Sequence, residues 1–388
     1  MARVAGSSKL LRAINESAVL ELLLDPGLLT RADLRKVTAL STPTISDTLR
    51  RLTGAGLINV VGYASGRPGP NAEIYAANPD AAFAVAVSVR DVGTSGAPSV
   101  AAALCDLTGK VRARFESRID FLSADPVSTV AGVVSRLRHQ GGIPGERIRH
   151  VQLGVPGSYD ARTEAIRLVD VPGFARPGLV PEIAAALGTR VGVDNDVNLA
   201  AVAERRRGAG HGAENFALLW IGEDGLGLAI DINGTLLRGT RGGAGEIGYV
   251  PLYSPDSPHR KLDLQNLFGG AAIMELARDN GIAGDTPAAV VAAAGSGEFL
   301  ATLADRIVIG VAAVTAVLDP YLVVLAGPIA QAGGDTLLAA VTSAFQRAAP
   351  LESSITITAV DDDAVLLGAL DAGLAAIREV LITAARDG

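Results

Sequence analysis

The stretch LLDPGLLTRADLRKVTALSTPTISDTLRRLTGAGLINVVGYASGRPGPNAEIYAANP, residues 23–79, decides the fold of the N-terminal region. Thr30 is predicted to cap a helix, with Asp33 at the position that a capping box gives to an acid. Ser41 is predicted to cap the next helix, and Pro43 lies in its first turn, where a missing N–H is tolerated. An apolar-periodic segment precedes this stretch, and two short strands around a glycine- and proline-rich tip end it. The order is three helices followed by a hairpin.

The helix that Ser41 begins has one apolar stripe and one polar face. Its apolar residues Ile45, Leu49 and Leu52 follow one another at spacings of four and three. In the preceding helix, Leu34 and Val37 are predicted to face inward. On the helix that Ser41 begins, the remaining small or polar residues are Thr42, Thr44, Ser46, Asp47, Thr48 and Arg50. These side chains are therefore predicted to be free to meet a groove of DNA.

The hairpin tip presents Arg67 between Gly66 and Pro68. A stiff loop with one arginine suits a phosphate contact or insertion into a narrow minor groove. Helices, caps, turn and hairpin together predict a winged helix-turn-helix over residues 1–79, with its last helix in the major groove. The alternative is a small three-helix packing module with an ordinary surface hairpin. The predicted DNA contacts are Ser41, Thr42, Thr44, Ser46, Arg50 and Arg67.

Charge is distributed unevenly along the chain. The net charge is −7, but residues 1–79 hold nine Lys and Arg against six acids, and the remainder holds 25 against 35. A basic N-terminal module on an acidic body is expected of a protein that reads double-stranded DNA. Because the module is only modestly basic, two copies are predicted to act together, in a homodimer or homotetramer.

Composition sets the class of protein. A length of 388 residues predicts at least two domains, and 49% hydrophobic residues fit a well-packed soluble protein. No apolar run reaches the ~20 residues that cross a bilayer, and no signal peptide is visible. The single cysteine, Cys105, excludes an internal disulfide and is predicted to be a small buried residue. A cytoplasmic protein without a membrane partner is expected.

From Phe83 onward, short apolar strands alternate with long alanine-rich helices. Such alternation predicts an α/β architecture with ligands at the carboxyl ends of the strands. Asn195 and Asp196 end the strand RVGVDND, where both side chains can reach a polar ligand. Glu246 lies in the loop GGAGEIG, whose glycines allow the backbone to approach a ligand closely. The alternative for each carboxylate is a structural one, the capping of a helix.

Four motifs carry a resemblance to a known family. VGVDNDVNLAAVAE (191–204), RGGAGEIGYVP (241–251), GVPGSYD (154–160) and DVPGF (170–174) closely resemble the ROK family. That family groups sugar kinases and sugar-responsive repressors, and its repressors carry a winged helix-turn-helix in front. The resemblance implies an actin/hexokinase-like, two-lobed ROK domain over residues 80–388, with the boundary between its lobes near residue 196.

The resemblance also implies a sugar pocket. In the family's kinases, the position of Asp196 is a general base that accepts a proton from a sugar hydroxyl; without phosphate transfer, it only accepts a hydrogen bond. Asp170, Tyr249 and Gln265 stand where the family has an asparagine, a histidine and a glutamate, which implies a re-tuned pocket. The predicted effector-binding residues are Asp170, Asn195, Asp196, Glu246, Tyr249 and Gln265.

Departures from the family pattern concern the nucleotide and the metal. The family's first phosphate loop, Asp-x-Gly-Gly-Thr, corresponds here to Asp91-Val92-Gly93-Thr94, or to a loop whose aspartate position is Ser88. The second, Gly-Thr-Gly-Ile-Gly, is Gly222-Glu223-Asp224-Gly225-Leu226-Gly227, and its two carboxylates would repel a triphosphate. Where the family has a later turn with two glycines, this chain has Ala326-Gly327-Pro328. Nucleotide binding is therefore predicted to be lost, and no cofactor is expected.

Zinc is also expected to be absent. The zinc-ligand histidine of the family is Tyr249 here, and the loop beyond it has no cysteine. His259 alone cannot make a four-ligand structural site.

Two charge runs remain. Arg205-Arg206-Arg207 is predicted to be a solvated helix end, with a DNA or subunit contact as the alternative. Asp361-Asp362-Asp363 is predicted to be an exposed turn.

The sequence thus favours a ligand-responsive transcriptional regulator, a repressor that does no chemistry. The alternative is an active sugar kinase with a DNA-binding head and Asp196 as its base. A purely structural DNA-binding protein with an empty pocket is a third possibility.

Overall fold

The structure, a computed structural model, describes residues 8–24, 28–64, 72–90, 99–169, 171–253, 262–348, 350–360 and 363–387. Its first part, residues 8–77, is called the head below. The head consists of α1 (Ser8–Leu24), β1 (Leu29–Thr30), α2 (Arg31–Thr38), α3 (Thr42–Gly54), β2 (Ile58–Ala64) and β3 (Ala72–Ala77). Strand β3 pairs antiparallel with both β2 and β1. The predicted order of three helices and a hairpin is confirmed.

Side-chain caps fix both short helices of the head. The Thr30 side chain accepts a hydrogen bond from the Asp33 N–H, and the Asp33 carboxylate accepts one from the Thr30 N–H at 2.9 Å. Ser41 caps α3 by accepting from the Thr44 N–H, with Pro43 in the first turn. The predicted capping box and the predicted cap with its proline are both confirmed.

Two predicted orientations in the head are wrong. Val37 is 61% exposed, because only the Leu34 side of the short helix α2 is covered by α1 and α3. Thr48 is only 4% exposed, because α1 also covers the edge of α3 next to Ile45 and Leu49. Thr48 is therefore a packing residue and does not face a groove.

The first lobe follows the head. Its elements are β4 (Phe83–Arg90), β5 (Ser99–Asp106), β6 (Val111–Arg118), α4 (Pro126–Gly141), β7 (Ile148–Val155), β8 (Ser158–Asp160), β9 (Ala165–Arg167), α5 (Leu179–Leu187) and β10 (Arg190–Asn195). Within the described residues, five of these strands form a sheet in the order β10-β7-β4-β5-β6, and β8 pairs separately with β9. Strands β10, β7 and β4 are parallel, and β5 and β6 are antiparallel additions. Helix α6 (Asp196–Arg207) then leads out of this lobe.

The second lobe repeats the same plan. Its elements are β11 (Asn215–Ile221), β12 (Leu226–Ile232), β13 (Thr235–Leu236), β14 (Pro251–Leu252), β15 (Leu262–Asp263), α7 (Leu264–Phe268), α8 (Gly270–Asp279), α9 (Pro287–Ala293), α10 (Glu298–Leu318), β16 (Leu322–Ala326), α11 (Pro328–Ala348) and β17 (Ser354–Ile357). Five of the described strands form a second sheet, β13-β12-β11-β16-β17, again with two antiparallel and two parallel pairings, and β14 pairs separately with β15. The carboxyl ends of the parallel strands of both sheets point towards the space between the lobes.

Helices α6 and α12 (Ala364–Asp387) lie between the two sheets. Helix α6 packs on β12 and on α12, and α12 packs on β4, β5 and β7. Helix α12 also packs on α1, so that head and first lobe share one apolar cluster. The predicted domain boundary at residue 79 falls in the 3-10 turn Pro79–Ala81 and stays a prediction.

Cys105 is buried in β5, and burial raises the pKa of its thiol to about 12, as expected of a small packing residue. Among the described residues, α10 is the one helix long and apolar enough to cross a membrane. Half of it is buried in the second lobe, and core helices of soluble proteins meet the same criterion.

Candidate effector cavity and head surface

A cavity of about 840 Å³ opens between the lobes. Its walls come from the ends of β4, β7 and β10 on one side and of β11 and β16 on the other. Five of the predicted effector residues line it: Asn195, Asp196, Glu246, Tyr249 and Gln265. Asp170 lies outside the described residues.

Asn195 and Asp196 stand where β10 becomes α6. The Asn195 Oδ1 accepts hydrogen bonds from the Val197 N–H at 2.8 Å and the Asn198 N–H at 3.2 Å, and its Nδ2 donates to the Gly157 carbonyl. Asn195 is thus a helix cap as well as a lining residue. Asp196 accepts from the same Val197 N–H at 2.8 Å, with its carboxylate at the positive end of α6.

Asp194, which sequence reasoning missed, connects the lobes behind this corner. Its Oδ2 accepts hydrogen bonds from the Arg238 Nη2 at 2.6 Å and Nε at 3.0 Å, and its Oδ1 accepts from the Asn198 side chain. Asp194 belongs to the first lobe and Arg238 follows β13 of the second. Asp194 thus fixes the corner that presents Asn195 and Asp196. Successive residues of a strand point to opposite faces, so the sequence could have indicated that Asp194 faces away from Asn195.

Glu246 faces the first lobe across the cavity. Its Oε1 accepts a hydrogen bond from the Ser158 hydroxyl at 2.6 Å. Two glycines of its loop lie directly against protein backbone: a Cβ on Gly242 would overlap the carbonyl of Tyr159, and a Cβ on Gly245 would overlap that of Leu228. Both glycines have positive φ. The loop is thereby wedged between β8 and β12, which sets the position of Glu246.

Tyr249 and Gln265 play unequal parts in the cavity wall. Tyr249 is 63% exposed, so most of its ring faces solvent at the cavity rim. Gln265 accepts a hydrogen bond from the Leu226 N–H at 3.0 Å and donates to the Asp224 carbonyl at 2.8 Å. Its amide therefore holds the loop 222–227 in shape, a role that needs both a donor and an acceptor.

That loop carries Glu223 and Asp224 into the lining of the cavity. It is closed by a hydrogen bond from the Gly222 N–H to the Gly225 carbonyl at 3.0 Å. The other altered glycine turn, at Gly327, also lines the cavity and has a φ of +91°. The segment 91–98, which contains the altered first phosphate loop, lies outside the described residues.

A cluster of ion pairs at the first-lobe end of the cavity was not foreseen. Asp363 accepts from the Nη2 of Arg90 and from the Nη2 of Arg114, each at 2.8 Å, and Arg90 also pairs with Glu116 at 2.9 Å. The predicted exposed turn is wrong for Asp363, whose side chain is only 4% exposed. Two guanidinium groups, from the strands β4 and β6 on either side of β5, cover it. Asp361 and Asp362 lie outside the described residues.

The predicted solvated arginine run is confirmed for Arg206 and Arg207, which are exposed at the end of α6, and is wrong for Arg205, which is partly buried. All three nevertheless have acidic neighbours. Arg205 pairs with Asp231 of β12, and Arg207 pairs with Asp371 of α12. Arg206 lies 3.7 Å from the same Asp371. Successive helical residues point about 100° apart, so the run reaches both neighbours of α6.

The candidate DNA surface of the head consists of α3 and the turn that leads into it from α2. The Thr42 hydroxyl accepts from the Arg35 Nη1 at 3.1 Å, and the Ser41 and Thr44 hydroxyls lie 2.8 Å apart. Ser46 is half-buried, whereas Arg50 is well exposed and pairs with Asp47. Arg35 therefore also belongs to this candidate surface, although the sequence analysis did not single it out. Arg67 lies outside the described residues.

Within the described ranges, no group of three or more His, Cys, Asp or Glu side chains is arranged to hold a metal ion. The segment that contains His259 lies outside those ranges.

The molecule resembles solved structures with and without a head. One is a ROK family transcriptional regulator described as a homologue of the E. coli MLC protein: it is 20% identical, has a TM-score of 0.75, and the match covers 97% of this chain and all of that one. Another is the ROK hexokinase from Thermus thermophilus, 24% identical with a TM-score of 0.63, matching 76% of this chain and 99% of that one. Both likenesses establish the fold.

Curated relatives also fall into these two groups. The xylose repressor of Caldicellulosiruptor bescii is 22% identical, and the match covers 94% of this chain and 96% of that protein. The bifunctional enzyme NanE/NanK of Brucella suis biovar 1 is 34% identical over 194 residues, 48% of this chain and 35% of that protein. The chain spans about a third of the length of this enzyme and of the glucokinases that it matches. The sequence pattern of the ROK family matches residues 94–374, and the chain belongs to the ROK family.

Proposed function

We propose that this protein is a DNA-binding transcriptional regulator, a repressor whose ROK domain senses a sugar or sugar-like molecule without phosphorylating it. The observation that carries the proposal is the pairing, in one chain, of the head with a cavity whose loop 222–227 bears Glu223 and Asp224. Carboxylates at this place repel a triphosphate but not an uncharged sugar. The near full-length likeness to a xylose repressor supports the same choice.

On the DNA side, α3 enters the major groove with Ser41, Thr42, Thr44, Ser46 and Arg50 at or near the base edges. Arg67 contacts phosphate or the minor groove. The protein acts as a homodimer or homotetramer in the cytoplasm, on two half-sites roughly 34 Å apart or a multiple of that distance.

On the effector side, the polar groups around the cavity bind hydroxyls of the ligand. Asp196 and Glu246 accept hydrogen bonds from the ligand, and the Tyr249 ring covers an apolar face of it. Asn195 and Asp170 are further polar contacts of this proposal. Gln265 contributes by holding the loop 222–227.

The proposal is tested by selecting a duplex from a random pool and measuring its Kd at fixed salt, with and without D-xylose, D-glucose or N-acetyl-D-glucosamine. At least one sugar is expected to shift the Kd by about 5- to 150-fold, the usual range of allosteric coupling. Glu246→Ala should abolish the shift and keep sugar-free DNA binding, because Glu246 lies outside the head. Glu275→Ala, at an exposed carboxylate of α8, is the matched control and should respond as wild type does. An undiminished response of Glu246→Ala would contradict the assignment of the effector cavity.

The second candidate function is that of a sugar kinase, and the observation that favours it is the carboxylate of Asp196 at the cavity end of α6. ATP consumption with the same sugars decides between the two functions. Turnover on the order of 1 per second or faster that disappears in Asp196→Asn would replace the first proposal with the second.

A further inference from the structure

Helix α12 runs from the wall of the cavity to the head. Asp363, Ala364 and Val365, at its start, line the cavity. Fifteen residues after Asp363, the Arg378 Nη2 lies 3.5 Å from the carbonyl of Leu24, the last residue of α1. A helix of this length, Ala364–Asp387, spans about 36 Å. One helix thus touches both the cavity and the head.

The start of α12 is fixed to the sheet of the first lobe. Asp363 holds Arg90 of β4 and Arg114 of β6, both at 2.8 Å. Asp363 also has a φ of +67°, a backbone conformation that costs a residue with a Cβ some energy. The two ion pairs hold it there, and both arginines line the cavity.

The middle of α12 is locked to α6, the helix that begins at Asp196 in the cavity. Gly368 lies against the carbonyl of Leu199, and a Cβ at this position would overlap that carbonyl. Three residues later, Asp371 pairs with Arg207. Backbone-to-backbone contact leaves no side chain that can adjust, so α6 and α12 are expected to shift together.

The rest of α12 forms a common core with the head. Its Leu370, Leu374 and Ile377 belong to the same apolar cluster as Leu20 and Leu23 of α1. Helix α1 in turn packs on α3, the candidate recognition helix, and Glu16 of α1 pairs with Arg51 of α3 at 2.5 Å.

We propose that α12 is the element that transmits the state of the cavity to the head. A ligand that changes the cavity wall at Asp363 or Asp196 shifts α12 against the first lobe, and α12 carries α1 and α3 with it. The biological role of this coupling, the control of DNA binding by a ligand, rests on the proposed function. Its physical content, that the first turn of α12 and α1 are energetically coupled, is testable without DNA or sugar.

The test is amide hydrogen exchange, measured by mass spectrometry on the full chain, with Asp363→Asn as the perturbation at the cavity end. Amides of α1 are expected to exchange at least about tenfold faster than in wild type, which corresponds to about 1.4 kcal/mol. Amides of α10, in the second lobe, should be unchanged. Asp160→Asn is the matched control, because Asp160 is an equally buried carboxylate of the first lobe, paired with Arg167, in a strand that touches β10. It should leave α1 unchanged.

If Asp363→Asn fails to fold, Arg114→Met removes one of the two partners and is expected to give the same pattern with smaller amplitude. Faster exchange confined to the first turns of α12, with α1 as in wild type, would overturn the proposal. So would an equal acceleration of α1 in Asp160→Asn. A negative result in the hydrogen-exchange experiment would leave the assignment as a DNA-binding regulator unchanged. Conversely, if no duplex were selected in the DNA-binding experiment, that assignment would be wrong but the coupling between α12 and α1 would not be affected.

Discussion

At the scale of single residues, His150 predicts a dependence of stability on pH. It lies on β7 beneath α12, is 9% exposed, and places its Nε2 3.1 Å from the Gln152 Oε1. Burial lowers the pKa of His150, Arg190 lowers it further, and the Gln152 bond opposes this in part. The unfolded chain therefore binds a proton near pH 6.5, whereas the folded protein does so only at lower pH. Stability is full above that range and is lost as the pH falls towards the folded pKa.

Each unit by which the pKa of His150 is lowered contributes about 1.4 kcal/mol. Urea denaturation of wild type and His150→Gln between pH 7.5 and 5 measures this contribution. The variant should lose less stability than wild type over that interval. Parallel curves for the two proteins would show that His150 does not titrate differently in the folded and unfolded states.

At the scale of elements, alanine is expected to have opposite effects at two helical glycines, one at the contact between α12 and α6 and one on the exposed face of α4. Gly368→Ala forces α12 away from the Leu199 carbonyl and should destabilise the protein by at least about 2 kcal/mol. Gly132→Ala lies on an exposed position of α4 with open space around it and should stabilise by about 0.5–1 kcal/mol, because alanine is the better helix former. Urea midpoints of both variants at one pH check the pair. Equal effects of the two substitutions would mean that the helices adjust to the extra methyl group.

At the scale of the whole molecule, the shared apolar cluster predicts that the ROK domain depends on the head. Removal of residues 1–78 takes α1 away from α12, whose Leu370, Leu374 and Ile377 share an apolar cluster with α1 in the full chain. The shortened protein should melt several degrees lower and bind more of a dye that reports exposed apolar surface. The substitutions Leu374→Gln and Ile377→Gln in the shortened protein should reduce dye binding again. A shortened protein that melts as the full chain does would establish the head as an energetically separate domain.

The sequence by itself determined the features that depend on neighbours along the chain. The caps of α2 and α3, at Thr30 and Ser41, were predictable because the groups that meet are three residues apart. The alternation of strands and helices, and the placing of Asn195 and Asp196 at a strand end, followed from local periodicity. The resemblance to the ROK family supplied the two-lobed architecture, because whole motifs carry a fold that periodicity does not specify.

Only the tertiary structure decided which distant groups meet. Asp363 reaches Arg90 and Arg114 across more than 240 positions of sequence, and Arg207 reaches Asp371 across 164. The sequence around a run of like charges does not reveal acidic partners that lie that far along the chain. The exposure of Val37 and the burial of Thr48 depend on where α1 ends up, not on the pattern of α2 or α3. Gln265 became a support for the loop 222–227 because packing brought two backbone groups to its amide, and no local signal encodes such a meeting.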